Sequence, residues 1–285
     1  MSIQCGVLYI VATPLGNLGD MSPRAVEVLS GVDVIAAEDT RHSAPLLRHF
    51  GIRAPCIALH EHNEREASPA IVERLAQGGS VALISDAGTP LVSDPGYHLV
   101  HAARTQGIRV VPVPGPCALI AALSASGLPS DRFVFEGFLP SRSGARRTRL
   151  AELANESRTL IFYESPHRIL DCVDDMAAVF GTDRQAVIAR ELTKLFETIH
   201  SDSLAGLCDW LRSDENQQRG EFVILVRGSM LEHDNKSEAE AQRVLRILVT
   251  ELPIKQAAAL AAQITGWKKN ALYDYALHLK DSQPD

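Results

Sequence analysis

Ser80-Val-Ala-Leu-Ile-Ser-Asp-Ala-Gly-Thr-Pro-Leu-Val-Ser-Asp-Pro-Gly96 opens as a buried parallel strand and then breaks into the loop Ser85-Asp-Ala-Gly-Thr-Pro90. In an open α/β sheet, small ligands sit in the crevice at the carboxyl ends of the strands, where such loops collect. Gly88 and Pro90 give a tight turn with exposed backbone donors and acceptors. Asp86 adds one fixed negative charge at the strand tip, which suits a ribose diol or a cation better than a phosphate. One such loop is also what an ordinary strand-to-helix turn looks like. Two more of the same kind surround it.

Upstream, Gly6 to Ala12 reads as a first buried strand running into Thr13-Pro-Leu-Gly-Asn-Leu-Gly-Asp20, which is rich in turn formers. Ser22-Pro23 is an N-cap followed by proline at the first helical position, opening a helix over Arg24 to Leu29. Val32 to Ala37 and Pro55 to Leu59 are further strands, ending in Glu38-Asp-Thr-Arg-His-Ser43 and His60-Glu-His-Asn63. A polar helix then runs to Gln77. Downstream, the strand Ile108 to Val113 ends in Pro114-Gly-Pro-Cys-Ala118 before the apolar helix Leu119 to Ser126. Strands alternating with helices predict a parallel, helix-covered sheet over residues 1–128.

The pattern changes after Leu128-Pro-Ser130. Strands at Phe133 to Phe138, Thr159 to Tyr163, Gln185 to Ala189 and Glu221 to Val226 alternate with helices at Pro166 to Val179 and Leu204 to Arg212. This predicts a second α/β domain, mixed in strand direction, over 129–228. Residues 229–237 are polar and read as a linker, and 238–285 as a helical domain. Within the last, Ala262, Gly266 and Leu272 occupy the positions that a helix-turn-helix requires, and Lys268 and Lys269 start its second helix.

The 285 residues are 46% hydrophobic and 22% charged, which predicts a soluble globular chain without a membrane helix. The start lacks the charged and apolar regions of a signal peptide. Five scattered cysteines with no Cys-x-x-Cys pair predict a reduced, cytoplasmic protein without a cysteine-built metal site. His60 and His62 lack a third ligand at a defined spacing, so no metal is expected. The net charge of −7 weighs against nucleic acid as a partner unless charge is concentrated locally. It is: Arg142, Arg146, Arg147 and Arg149 form the most basic segment, read as a basic loop, with Lys268 and Lys269 second. No Gly-x-Gly-x-x-Gly, Walker or Gly-x-Ser-x-Gly motif is present, which removes dinucleotide, NTP and serine-hydrolase readings. Loops of proline, glycine and small residues at the ends of strands one, four and five suit an adenosine-sized ligand without phosphates.

Leu8-Tyr-Ile-Val-Ala-Thr-Pro-Leu-Gly-Asn-Leu-Gly-Asp20, Ala37-Glu-Asp-Thr-Arg-His42, Ser85-Asp-Ala-Gly-Thr-Pro90, Asp94-Pro-Gly96 and Val113-Pro-Gly-Pro-Cys-Ala118 resemble the tetrapyrrole-methylase-type (class III) methyltransferases. Among these they are similar to the branch that modifies small-subunit ribosomal RNA. The likeness continues through Phe162-Tyr-Glu-Ser-Pro-His-Arg168, Ala189-Arg-Glu-Leu-Thr-Lys194, Arg219-Gly-Glu-Phe-Val223 and Lys268-Lys-Asn-Ala-Leu-Tyr273, nearly the whole chain. The resemblance implies two α/β domains with S-adenosylmethionine in the cleft between them and a homodimer. It also implies methylation of the ribose 2′-hydroxyl of a decoding-centre cytidine in 16S rRNA, within the small ribosomal subunit. Carried over by position, the cofactor contacts fall on Leu15, Asp86, Thr89, Cys117, Ala118, Tyr163, Leu192, Glu221 and Phe222. Thr13-Pro-Leu-Gly-Asn-Leu departs from the Gly-x-Gly-Pro-Gly first loop of the precorrin-methylating members, which favours the rRNA branch over a tetrapyrrole substrate.

For the chemistry, Asp39 or His42 is expected to handle the hydroxyl proton while Arg41 holds a phosphate; Glu164, His167 and Arg168 form a rival set. A ligand-sensing nucleic-acid-binding regulator is the reading from another class, and the acidic average of the chain argues against it.

Overall fold

A computed structural model describes residues 3–229 and 231–281, and the side chains of 3–229 and 240–279. The first half alternates as the hydrophobic runs predict: β1 (Val7–Val11), α1 (Pro23–Gly31), β2 (Val34–Ala37), α2 (Thr40–His49), β3 (Cys56–Ala58), α3 (Glu64–Ala76), β4 (Val81–Ile84), α4 (Tyr97–Thr105), β5 (Arg109–Val113) and α5 (Ala118–Ser126). Its five strands are all parallel, in the order β3-β2-β4-β1-β5. β2 and β4 are buried at every position, as strands covered on both faces must be.

Side chains alternate across this sheet into two cores. Val7, Tyr9 and Val11 of β1, with Ile35 and Ala37 of β2, meet Val28 and Leu29 of α1 and Leu47 of α2. Leu8, Ala36 and Leu83 point the other way, onto Ile71 and Leu75 of α3 and Leu99 of α4. The chain therefore leaves β1 over one face and β4 over the other, and the strand order reverses between these neighbours. That reversal opens a crevice at their carboxyl ends.

The second half contributes β6 (Phe133–Phe138), α6 (Ser143–Leu153), β7 (Thr159–Glu164), α7 (Ile169–Phe180), β8 (Gln185–Arg190), β9 (Thr198–Ser203), α8 (Leu204–Ser213) and β10 (Phe222–Val226). Its sheet, β6-β7-β10-β8-β9, is mixed: β6 and β7 are parallel and every other pair antiparallel. One face packs on α6, α7 and α8 through Phe162, Ile188 and Ile224. The other face, through Ile161, Val187, Val223 and Leu225, receives Leu119, Ala122 and Leu123 of α5. Helix α5, placed in the first domain by position in the sequence, thus covers the second sheet. Its apolar residues match that face.

Four elements differ from the sequence expectation. Thr40, Arg41 and His42 lie in the first turn of α2 rather than in a loop, with Asp39 as its N-cap, accepting from the Arg41 amide at 2.8 Å. Strand β9, Thr-Ile-His-Ser-Asp-Ser, leaves no signal in the sequence because an exposed edge strand needs no apolar alternation. The residues read as a linker are helical from Leu231, the start of α9 (Leu231–Leu248). α10 (Ile254–Thr265) and α11 (Lys269–Asp281) follow as the expected helix-turn-helix. Gly266 caps α10 at φ 75°, and Leu245, Ala257, Ala261 and Leu272 share a core.

The basic segment is a helix too, and its charge is largely spent inside the protein. Arg146 is only 3% exposed, and its Nε lies 2.7 Å from Asp175, which also holds Arg147 at 2.5 Å. Arg149 pairs with Glu136 at 2.7 Å and Glu152 at 2.5 Å. Of the arginines of this segment Arg142 alone is without an ion pair among the described residues, and it is exposed. The phosphate contact expected of Arg146 is therefore closed to it: a side chain this buried binds α6 to α7. Replacing Asp175 by alanine would leave a guanidinium buried without a counter-charge, and should cost about 3–5 kcal/mol of folding stability, read by urea titration.

Candidate functional site

The crevice is walled by loops that are tied to one another before any ligand arrives. Thr13, just past β1, and Gly88, past β4, form an isolated antiparallel bridge: the Thr13 amide donates to the Gly88 carbonyl at 2.8 Å, and the Gly88 amide to Thr13 at 3.0 Å. Gly88 sits at φ 83°, and a side chain there would begin 3.1 Å from Leu15. The Thr89 hydroxyl donates to the Pro116 carbonyl at 2.9 Å, tying the fourth-strand loop to the fifth-strand loop. The Leu119 amide donates to the Tyr163 hydroxyl at 3.1 Å, which joins α5 to the second sheet. Gly16 lies against the stem of Lys194, where a Cβ would come within 2.5 Å of Cγ.

These loops enclose a cavity of about 450 Å³ between the two sheets. Its first-sheet wall includes Leu15, Asp86 and Thr89; Cys117 and Ala118 stand at the start of α5. Tyr163, Leu192, Glu221 and Phe222 form the wall from the second sheet. All nine residues expected at the cofactor thus line one space, although they lie far apart in sequence.

The expected catalytic group falls elsewhere. Arg41 and His42 are exposed, and neither they nor Asp39 line the cavity. Asp39 is occupied by its capping bond and by Arg41 at 3.1 Å, which lower its pKa to about 2. A carboxylate so stabilised is a poor proton acceptor. Its neighbour Glu38 faces the cavity instead, because β2 ends there and the chain turns into α2. Of the rival set, Glu164 lines the cavity and pairs with Arg168 at 2.6 Å, whereas His167 does not line it.

Val92, Ser93 and Asp94, to which the sequence pattern assigns no role, also line the cavity. Among the described residues four non-glycines adopt left-handed backbone: Leu91 (φ 72°), Ser93 (66°), Glu191 (52°) and Thr193 (67°). The two pairs bracket Val92 and Leu192. Such conformations cost about 1–3 kcal/mol each and collect where a site must hold its shape. The signal is present in the motif Asp94-Pro-Gly96, but the facing of a residue across a cleft has no trace in spacing.

The lining is acidic. Glu38, Asp86, Asp94, Glu164 and Glu221 all contribute, and among the described residues no lysine, arginine or histidine does. Arg168 neutralises Glu164, and Lys194 reaches Glu221 at 2.9 Å. The first-sheet three have no ion pair among the described residues. Burial raises the Glu38 pKa; burial, with Glu38 and Asp86 nearby, pushes Asp94 up to about 6. Burial also raises the Tyr163 phenol. An apolar cleft with three uncompensated carboxylates suits a ligand that is flat, partly apolar and positively charged.

The family described as Tetrapyrrole (Corrin/Porphyrin) Methylases matches residues 7–208, which hold the first sheet, every strand of the second except β10, and most of the cavity lining. The chain belongs to this family. A second family, the RsmI C-terminal HTH domain, matches residues 235–280. Ribosomal RNA small subunit methyltransferase I of Pseudomonas aeruginosa is 62% identical over 96% of this chain and 98% of its own length. The protein of that name from Haemophilus influenzae is 56% identical over 98% and 100%. Among solved structures, diphthine synthase superposes with a TM-score of 0.58 at 16% identity, covering 78% of this chain and 89% of its own. Cobalt precorrin-4 methyltransferase does so at 0.56 and 16%, over 78% and 95%. At such identities these neighbours speak for the fold alone.

A valine at position 88 would force φ 83° on a β-branched residue and crowd Leu15. Gly88→Val should lower stability by at least about 1–2 kcal/mol, measured by denaturant titration, and should abolish ligand binding in the cavity.

Proposed function

We propose that this protein transfers a methyl group from S-adenosylmethionine to the ribose 2′-hydroxyl of a decoding-centre cytidine in 16S rRNA. The observation that carries the reading is the cavity: loops of both sheets enclose a space whose free charges are carboxylates. An adenosine fits against Leu15, Leu192 and Phe222, and the cationic sulfonium and ammonium groups find Glu38, Asp86 and Asp94. The nine residues implied by the resemblance supply the contacts. The similarity to ribosomal RNA small subunit methyltransferase I of other bacteria supports the substrate.

Methyl transfer from a sulfonium needs no activation of the donor, so most of the task is alignment of oxygen, carbon and sulfur. Positioning of this kind supplies up to about 7–11 kcal/mol. The ties among the loops hold the walls in place before binding, so little ordering remains to oppose it. Carboxylates too close to sulfur would favour the charged ground state, and the pairing of Glu164 with Arg168 and Glu221 with Lys194 limits that penalty.

The rRNA is held, in this reading, outside the cleft. Lys268 and Lys269 are exposed at the start of α11, and Arg142 at the start of α6. Arg147 and Arg149 reach phosphate only by leaving or sharing their acidic partners. A homodimer is part of the proposal, and sedimentation should give twice the chain mass.

The deciding assay is methyl incorporation from labelled S-adenosylmethionine into small ribosomal subunits that lack this modification, followed by nucleoside analysis. 2′-O-methylcytidine is the expected product; no incorporation with cofactor binding intact would remove the rRNA reading. Replacing Lys268 and Lys269 together with alanine should weaken rRNA binding and flatten its salt dependence by roughly 0.7 in slope for each phosphate no longer neutralised, leaving cofactor affinity unchanged.

A further inference from the structure

Among the described residues, Phe138 is the one large apolar side chain of the cavity lining that stays exposed, at 55%. Its place is set by a bulge in β6. Side chains of a regular strand alternate between faces, so residues three apart point opposite ways. Yet the rings of Phe135 and Phe138 both pack edge-to-face on Tyr163, at 4.9 and 5.8 Å. The register with β7 gives the reason: Phe135 stands opposite Ile161 and Gly137 opposite Phe162, which leaves Glu136 as an extra residue. Bulges of this kind bend a strand and re-aim its side chains.

The bulge is pinned from both sides. Glu136 accepts from Arg149 of α6 at 2.7 Å. Gly137 takes φ 67°, and a Cβ there would come within 2.9 Å of the Ser93 hydroxyl on the fourth-strand loop of the first domain. Leu139, the next residue, returns to the core under α6 and α7. Phe138 is thus held out of either core, against Tyr163, whose own hydroxyl is occupied by the Leu119 amide.

Charge divides the space beside this ring. Glu38, Asp86 and Asp94 stand on the first-sheet wall without an ion pair among the described residues, and they repel phosphate. A nucleic-acid strand can bring past them only its uncharged parts, a base and its ribose. Arg142, four residues beyond Phe138, is exposed and offers a cation to the backbone outside.

We propose that Phe138 is the stacking platform for the base of the acceptor nucleoside, a substrate contact that orients the ribose hydroxyl toward the methyl donor. The proposal rests on the reading above. Every base has a π-face, so an aromatic ring fixes the plane and depth of the base without selecting its identity. The adenosine lies in that reading against Leu15, Leu192 and Phe222, which are buried or half-buried, and the exposed ring of Phe138 is left to the second substrate.

The test uses the full chain, unmodified small subunits and saturating S-adenosylmethionine, with the subunit concentration varied. Loss of one base–aromatic stack should lower kcat/KM for the subunits of Phe138→Ala by about 5–150-fold. Most of the loss should appear in KM, since the contact is made before and during transfer. Cofactor affinity by calorimetry should stay within a few-fold of wild type. Phe138→Trp and Phe138→Tyr should keep most of the activity, whereas Phe138→Leu, apolar and of similar size but without a π-face, should not. That comparison also decides the matter if the alanine variant melts early. Wild-type kcat/KM in Phe138→Ala, activity in Phe138→Leu equal to that of Phe138→Trp, or a loss fully explained by weaker cofactor binding overturns the proposal. A wild-type chain that binds the cofactor but methylates no rRNA overturns the functional reading, and the proposal with it.

Discussion

Two hydrogen bonds between the backbones of Thr13 and Gly88 determine how the crevice can be used. They cross the point where the strand order reverses, so the loops leaving β1 and β4 cannot drift apart as the helices carry the chain to opposite faces. Gly88 has no side chain because Leu15 occupies the space beside it. From this bridge the rest follows outward: Thr89 secures the fifth-strand loop, that loop starts α5, and α5 lies on the second sheet with Tyr163 bonded to its first turn. The cleft between two separately packed sheets is consequently stiff along its floor.

The same architecture decides the electrostatics. Cations from the second domain are spent on second-domain carboxylates, while the first-sheet loops present theirs uncompensated. A cationic ligand lowers this mutual repulsion on entry, so binding and charge relief are coupled. The left-handed residues flank Val92 and Leu192, which share the core between α5 and the second sheet beside the cavity, and strain of this kind collects where a site must hold its shape.

The helical tail has a different logic. Its alanine-rich core is small and internal, its turn is set by Gly266, and Lys255, Lys268 and Lys269 are exposed at the surface. The chain carries a net charge of −7, so positive charge for a polyanion has to be local. The structure moves much of the expected share from the arginines of α6 to the lysines of α11, since Arg146 is committed to Asp175.

Periodicity and turn chemistry determined most strands of both sheets, the parallel and mixed characters, the loops at the strand ends and the final helix-turn-helix. Those depend on backbone conformation and on which face is apolar, both local properties. The motifs also carried the nine residues of the cavity. Tertiary structure alone decided which charges are available. Asp39 and Glu38 are adjacent in sequence, yet the turn into α2 commits one to a cap and aims the other at the cavity. Arg142 and Arg146 lie one helical turn apart, yet one faces water and the other a buried aspartate. Asp94 was visible as a motif, but its place on the cavity wall beside Glu38 and Asp86, with no ion pair among the described residues, depends on segments distant in sequence. Pairing, burial and desolvation are properties of neighbours in space, and a linear order of residues does not contain them.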